Sequence, residues 1–288
     1  MENTTYAYAA GYIDGDGCFC ISTKLTYSLS VSTIHKENAE WFKRNFEGTF
    51  SNRLPRCKGK HEIFTFRFNV KGLQILPKIE TYLVEKQKES ILMRKFADIF
   101  FRKDKKHLYD EMKVLKFETN LITRSMKSIL DQTEQTIIPT IEDFAYLAGF
   151  VDAECSLDIL KRKQPRGGQY SYVAQIQCNN TKIPFFEWVA KRFGGNFYFL
   201  NTSKHGNRRN QMIWRLRGRN CYDVLRQISP FLNHKKRICD EILKLSETDV
   251  MANNAPSQRH PRFMEFFEPI RQKKELIYQT VCQFNHSI

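Results

Sequence analysis

No apolar run in this chain reaches the roughly 18 residues that a bilayer-spanning helix needs, so no membrane-spanning segment is expected. There is no hydrophobic anchor and no lone basic amphipathic helix, which argues against a membrane-surface role. The first residues lack the charged and apolar regions of a secretory signal and are not Arg-rich like a transit peptide, so neither is expected. The eight cysteines, Cys18, Cys20, Cys57, Cys155, Cys178, Cys221, Cys239 and Cys282, include no Cys-x-x-Cys pair and are joined by no paired His cluster. Structural zinc is therefore not expected, and the scatter fits reduced, mostly buried thiols in an intracellular protein. Acidic residues are in short supply: 31 Asp and Glu against 46 Lys and Arg, a formal charge of +15. A surplus of that size calls for a polyanionic partner.

What is present is enough for a core. The chain has 288 residues, 41% hydrophobic and 13% aromatic, which argues against a disordered chain. That length suits one large domain or two of about 140 residues.

A phrase occurs twice. Residues 9–17 read Ala-Ala-Gly-Tyr-Ile-Asp-Gly-Asp-Gly, and residues 147–155 read Leu-Ala-Gly-Phe-Val-Asp-Ala-Glu-Cys. Each is an apolar run ending in two acids spaced i and i+2. Ala7, Ala10 and Gly11 fall on one helical face, as do Ala145, Ala148 and Gly149, so two such helices can pack closely. Tyr8, Tyr12 and Ile13, or Tyr146, Phe150 and Val151, are then expected to turn outward into each half's own core. The acids Asp14, Asp16, Asp152 and Glu154 sit at helix C-termini, where the dipole favours cations. Four carboxylates gathered there need positive charge, and a divalent cation with oxygen ligands supplies it. A single Asp-Gly helix end is a common turn; two copies in register with a duplicated pattern are not. An EF-hand is excluded, because no third acid or twelfth-position Glu follows.

The pattern around the phrase is also duplicated. Alternating stretches Cys18–Lys24 and Tyr27–Ile34 predict a β-hairpin, matched by Ser156–Lys163 and Ser171–Asn179. Amphipathic helices follow at Lys36–Phe46 and Ile183–Phe193, with Pro184 in the first turn of the second. After Gly48 and Gly194-Gly195, strands are expected at Thr49–Arg53 and Glu62–Val70, and at Asn196–Leu200 and Gln211–Arg217. Helices at Lys71–Ile75 and Gln87–Phe101, and at Asn220–Ile228 and Lys235–Leu245, close each unit. The expected architecture is α+β: two pseudo-symmetric αββαββα halves, each with a four-stranded mainly antiparallel sheet, joined by a two-helix interface. The halves span 1–124 and 140–250, a polar linker runs from 125 to 139, and a loop and final helix occupy 251–288.

On both phrases and this repeated order, the chain from residue 5 to about 250 resembles the single-chain LAGLIDADG homing endonucleases. The resemblance implies a monomer whose motif helices form the interface between halves, with two sheets saddling the DNA major groove. It implies that Asp16 and Glu154 bind catalytic Mg²⁺, two or more ions, with the carbonyls of Gly15 and Ala153 as further ligands. Mn²⁺ would substitute, and Ca²⁺ would bind without supporting cleavage. Asp14 and Asp152 match an earlier motif acid that belongs to the helix end. The second copy departs from the motif: Glu154 stands for Asp and Cys155 for Gly. Cys is the less comfortable where φ turns positive, which puts the cut on that side in doubt. Lys86 and Lys235, each just before a long helix, match lysines that lie by the active site; a solvated helix start is the alternative. His35 and Asn180 are the candidates for ordering water.

The DNA-facing residues expected from alternation and charge are Ser22, Lys24, Thr26, Ser28, Ser30, Ser32, Arg53 and Arg67 in the first half. In the second they are Arg162, Tyr170, Tyr172, Gln175, Gln177, Arg215 and Arg217. The hairpin tips add Arg56, Lys58, Lys60, His61, Arg166, Lys204, Arg208 and Arg209, expected on phosphates. Because the halves differ, the target should be at most an imperfect palindrome. The leading function is a Mg²⁺-dependent site-specific double-strand DNA endonuclease leaving 3′ overhangs. The alternatives are an RNA-binding maturase acting on its own intron RNA, or a catalytically inactive DNA-binding protein. With no flanking splicing segments, an intron-encoded or free-standing protein is expected, residing in a mitochondrion or chloroplast if it is organelle-encoded.

Overall fold

The computed structural model describes residues 2–54, 61–99, 102–117, 122–164, 169–202, 210–253 and 263–286. The first half runs α1 (Asn3–Asp16), β1 (Gly17–Ile21), β2 (Tyr27–Thr33), α2 (Lys36–Asn45), β3 (Gly48–Arg53), β4 (Ile63–Phe68), α3 (Val70–Leu73), α4 (Leu76–Glu80), α5 (Gln87–Asp98) and α6 (Arg102–Phe117). After α7 (Arg124–Asp131), the second half repeats the order as α8 (Ile141–Glu154), β5 (Cys155–Lys163), β6 (Tyr170–Asn180), α9 (Ile183–Phe193), β7 (Asn196–Leu200), β8 (Gln211–Arg217), α10 (Gly218–Ile228) and α11 (Lys236–Asn253). The final helix is α12 (Phe263–His286). Each half carries one antiparallel four-stranded sheet, ordered β1-β2-β4-β3 and β5-β6-β8-β7.

One face of each sheet is packed. In β1 and β2 the buried side chains are Phe19, Ile21, Leu29 and Val31, in strict alternation. Helix α2 covers them with Phe42, which meets Phe66 and Phe68 of β4. Helix α9 repeats this with Phe185 edge-on to Trp214. These contacts run into one continuous core that includes α1 and α8.

Helices α1 and α8 are apolar all round because they are buried all round, in the seam between halves. Gly11 and Gly149 set how near they come. A Cβ on Gly11 would stand 1.9 Å from the Tyr146 carbonyl oxygen, and one on Gly149 would stand 2.0 Å from that of Tyr8. Gly11→Ala is therefore expected to destabilise the protein by about 3 kcal/mol, although Ala is the better helix former by about 1 kcal/mol. A thermal melt checks it; an unchanged or raised Tm would show that the seam can open.

The seam tyrosines turn their rings into their own half's core as expected, Tyr8 against Trp41 and Tyr146 against Trp188, but their hydroxyls cross the seam. The Tyr8 hydroxyl donates to Asp152 Oδ2 at 2.7 Å. Tyr146 likewise donates to Asp14 Oδ2 at 2.8 Å. A buried phenol needs an acceptor, and the opposite helix end offers one.

Other differences are local. The segment expected as a plain linker holds α7, whose Leu130 is buried. The stretch after Leu245 stays helical through Asn253, past the Met251 where a loop was expected. Helix α12 packs on α11 and β5, so it does dock on the second half. Helices α4 and α6 were not expected, and the strand drawn to Val70 stops at Phe68 because Asn69 caps α3. Among the described residues, no helix is long and apolar enough to cross a membrane.

Candidate active site and nucleic-acid interface

The two acids at each helix end have different surroundings. Asp14 is buried and accepts the backbone N–H groups of Val84, Glu85 and Lys86 at 2.7, 3.1 and 2.8 Å. It ties the start of α5 to the end of α1. Asp152 does the same for α11, accepting from the N–H groups of Asn233 and Lys235 at 2.7 and 3.0 Å. Burial pushes both carboxyls up, and these hydrogen bonds oppose that.

The anchored loops turn the two lysines inward. Lys86 Nζ donates to the carbonyls of Ile13, Gly15 and Gly17 at 2.7, 3.1 and 2.8 Å. Lys235 Nζ donates to those of Val151, Asp152 and Cys155 at 2.7, 3.2 and 2.7 Å. A cation on the open carbonyls of a helix C-terminus is the favoured arrangement. All three protons of each ammonium are thereby engaged. Neither lysine is a solvated helix start. Burial pushes both pKa values down. The Gly15 carbonyl, expected as a metal ligand, already accepts from Lys86.

The later acids, Asp16 and Glu154, are brought together. Where Gly15 lacks a Cβ, one would meet Ala153 Cβ at 2.4 Å and Glu154 Cγ at 3.0 Å, so the helix tips touch. Burial, and then the charge of Glu154, push Asp16 up to about 6, while Lys86 and Lys235 pull it back. Burial also raises Glu154, again offset by both lysines, although its side chain opens to solvent. Cys155 is unstrained, because φ is −97° there and −73° at Gly17. The expected positive φ does not occur.

A raised carboxyl is a source of instability. Asp16 takes up its proton near pH 6 when folded, against about 3.9 in an unfolded chain, so its charge lowers stability as pH rises through that window. Asp16→Asn is expected to raise Tm at pH 7.5 in EDTA, with the gain shrinking towards pH 4. Mg²⁺ at pH 7.5 should raise Tm for the unaltered protein and not for the variant. Equal Mg²⁺ shifts in both would remove Asp16 from any cation site.

The groups nearest these acids were only partly foreseen. His35 stacks on His234 with centroids 3.8 Å apart, and burial pushes both imidazoles down, so they are neutral at pH 7. Asn180 donates to Glu85 Oε1 at 2.9 Å. Burial, and then the charge of Asp14, push Glu85 up to about 8. Glu85, His234, Asn38 and Tyr12 have no sequence signal as site residues; only the adjacency of Glu85 and His234 to the two lysines could have pointed to two of them.

The unpacked faces of the two sheets are polar. In the first, Cys18, Ser30, Arg67 and Thr49 form one row and Ser32, Thr65 and Ser51 the next. Ser28 and exposed Arg53 lie on the same face. Ser22, Lys24 and Thr26 fall in the hairpin turn beyond β1, where the Ser22 and Thr26 hydroxyls are 2.7 Å apart. In the second, Ser156, Gln177, Arg215 and Asn196 form one row, and Asp158, Gln175 and Arg217 another, with Arg162 further along. Arg215 Nε donates to Gln177 and Arg217 Nε to Gln175, each at 2.7 Å, so the guanidinium groups are held in place. Gln175 is buried beneath this ladder.

Tyr170 and Tyr172 lie on the other face. They pair with Lys163 and Lys161, and the Tyr172 hydroxyl donates to Glu275 of α12. Alternation demands this: residues 170 and 172 share parity with buried Ala174 and Ile176, while 175 and 177 do not. Arg56, Lys58, Lys60, Arg166, Lys204, Arg208 and Arg209 lie outside the described residues; His61 is exposed.

Two acid-tipped helices meet in the seam between two four-stranded sheets, and the fold they make is that of solved LAGLIDADG meganucleases. No family model matches the sequence, and no curated protein does. Among solved structures, the chain is similar to the LAGLIDADG meganuclease I-AabMI bound to uncleaved DNA, at 20% identity and a TM-score of 0.59, over 94% of this chain and 98% of that one. It is also similar to I-SmaMI bound to an uncleaved DNA target with calcium ions, at 18% identity and a TM-score of 0.57, over 94% and 97%. The LAGLIDADG homing endonuclease I-SmaMI bound to cleaved DNA matches at 18% identity and a TM-score of 0.55, over 93% and 95%. All three are DNA complexes, and an intron RNA partner gains no support from them.

Proposed function

We propose that this protein is a site-specific double-strand DNA endonuclease that hydrolyses one phosphodiester per half with divalent-metal assistance, leaving 3′ overhangs. The observation that supports this best is the meeting of Asp16 and Glu154 at touching helix tips, between two polar sheet faces. The DNA-bound structures of the same fold support the substrate class.

Among the described residues, no three His, Cys, Asp or Glu side chains gather as a ready metal cage. Two carboxylates alone suit Mg²⁺, which prefers one or two acids plus waters and substrate phosphates. Asp16 and Glu154 would hold it, and it would supply charge neutralisation at the phosphate and a more acidic bound water. The chain's own residues do the rest. Lys86 and Lys235 pin the helix tips that present the acids and add positive charge beside the reacting phosphates. Neutral His35 can accept a hydrogen bond from water on the Asp16 side. Arg67, Arg215 and Arg217 lie on the polar faces of the sheets and would enter the grooves, where Arg suits guanine.

A randomised duplex library incubated with Mg²⁺, with EDTA, and with the Asp16→Asn protein tests the proposal. Mg²⁺-dependent enrichment of one cut sequence is expected. Tight binding with no cutting under any condition would overturn it in favour of a DNA-binding protein without catalysis.

A further inference from the structure

Glu85 and His234, which immediately precede the buried lysines, occupy equivalent places in the two halves and differ completely in chemistry. Both are sealed, with side chains 1% and 5% exposed. Polar side chains at that depth need partners, and each takes some of them from the opposite half, although His234 Nδ1 also lies 3.3 Å from Asp152 Oδ1 of its own half. Asn180 Nδ2 donates to Glu85 Oε1 at 2.9 Å, and Lys182 Nζ lies 3.8 Å from the other oxygen. His234 stacks on His35, and its Nδ1 lies 2.8 Å from Asn38 Nδ2. Asn38 also donates to the Tyr12 hydroxyl at 3.0 Å, one helical turn before Asp16, and accepts from Asn233 at 2.9 Å.

The hydrogen-bond capacity of these groups shows what the contacts do. Asn180 Oδ1 is occupied by the backbone N–H groups of Thr181 and Lys182 at 2.6 and 3.1 Å. With Nδ2 tied to Glu85, the amide has one N–H left, and Glu85 fixes where it points. Asn38 is held at both ends, by Tyr12, His234 and Asn233. His234 Nε2, by contrast, is buried with no hydrogen-bond partner among the described residues.

We propose that Glu85 and His234 are positioning residues for two chemically different cutting sites, each acting on the half opposite its own. Glu85 acts through Asn180 on the Glu154 side, and His234 through His35 and Asn38 on the Asp16 side. The inference rests on the endonuclease function proposed above. Each cut then depends on a loop lent by the other half, and the two strands are served by unequal machinery. Disturbing one loop residue impairs one strand and spares the other.

The test is the rate of each strand's cut, followed with differently labelled strands of a duplex carrying the site recovered from the library. Glu85→Ala is expected to slow one strand by about tenfold or more, the usual effect of a misplaced reacting group, with the other strand nearly unchanged. His234→Ala is expected to slow the opposite strand. On a supercoiled plasmid both variants accumulate nicked circles, with nicks in different strands. Glu85→Gln keeps an acceptor for the Asn180 amide and should restore most of the lost rate. Asn180→Ala removes the same contact from its less buried end and should slow the same strand as Glu85→Ala, which covers the case where Glu85→Ala fails to fold. Equal slowing of both strands by each variant, or a Glu85→Gln protein as slow as Glu85→Ala, would overturn the positioning roles. An unaltered protein that cuts neither strand would overturn the endonuclease function itself. An unaltered protein that cuts both, with variants that show no strand bias, would overturn the positioning roles alone.

Discussion

Asp16→Asn and Glu154→Gln should each lower double-strand cleavage by about a thousandfold or more, while DNA affinity changes by no more than a few fold. The size follows from removing one preorganised charge from a site where charge develops in the transition state, which costs about 10²–10³ for a neutral donor and more for a metal-holding carboxylate. The separation of binding from chemistry follows from sign. Burial raises both carboxyls, and the charge of Glu154 raises Asp16 further; as anions they contribute no attraction to phosphate. Neutralising one removes a repulsion and leaves affinity level or slightly improved. The substitutions are conservative in shape. Cleavage and retained affinity would be measured on the same duplex, with Mg²⁺ for the first and EDTA for the second. A fall in affinity as large as the fall in cleavage would mean that the acids support the fold of the saddle rather than the reaction.

Affinity for duplex DNA should fall steeply with salt, by about a thousandfold between 50 and 200 mM if roughly six cations meet phosphates. The chain has the charge for this, +15 in total. Much of it lies in the right place: Lys24, Arg53, Arg67 and Arg162 are exposed at the turn and open faces of the sheets. Arg67→Gln should flatten the logarithmic salt slope by about one if that guanidinium meets a phosphate, and should relax base preference instead if it reads a base. A salt response close to flat would remove the saddle as a nucleic-acid surface. The Mg²⁺-linked Tm difference of Asp16→Asn and the loss of stability in Gly11→Ala bear on the same site by routes that need no DNA.

Most of the architecture was legible because it is periodic and repeated. The α9, β7 and β8 boundaries fall where apolar spacing, Pro184 and the Gly194-Gly195 break place them. Helix α6 escaped because Arg102–Phe117 is rich in charge and its apolar residues form only a thin stripe. The tyrosine pair Tyr170 and Tyr172 was drawn to the wrong face because the turn before it obscured which parity continues the strand. Alternation within β6 itself, counted back from buried Ala174, gives the right answer.

By itself, then, the sequence determined the two-fold repeat, the small-residue helix faces, the paired acids and the excess of positive charge. Each of these is written in composition or in spacing within one element. The tertiary structure alone decided that Tyr8 and Tyr146 cross to the opposite acids, that Lys86 and Lys235 spend all their protons on helix-end carbonyls, and that Glu85 and His234 reach into the other half. Those bonds join residues far apart in the chain, several of them across the seam between halves. Their existence depends on how closely two glycine-notched helices pack, a distance that no local pattern encodes.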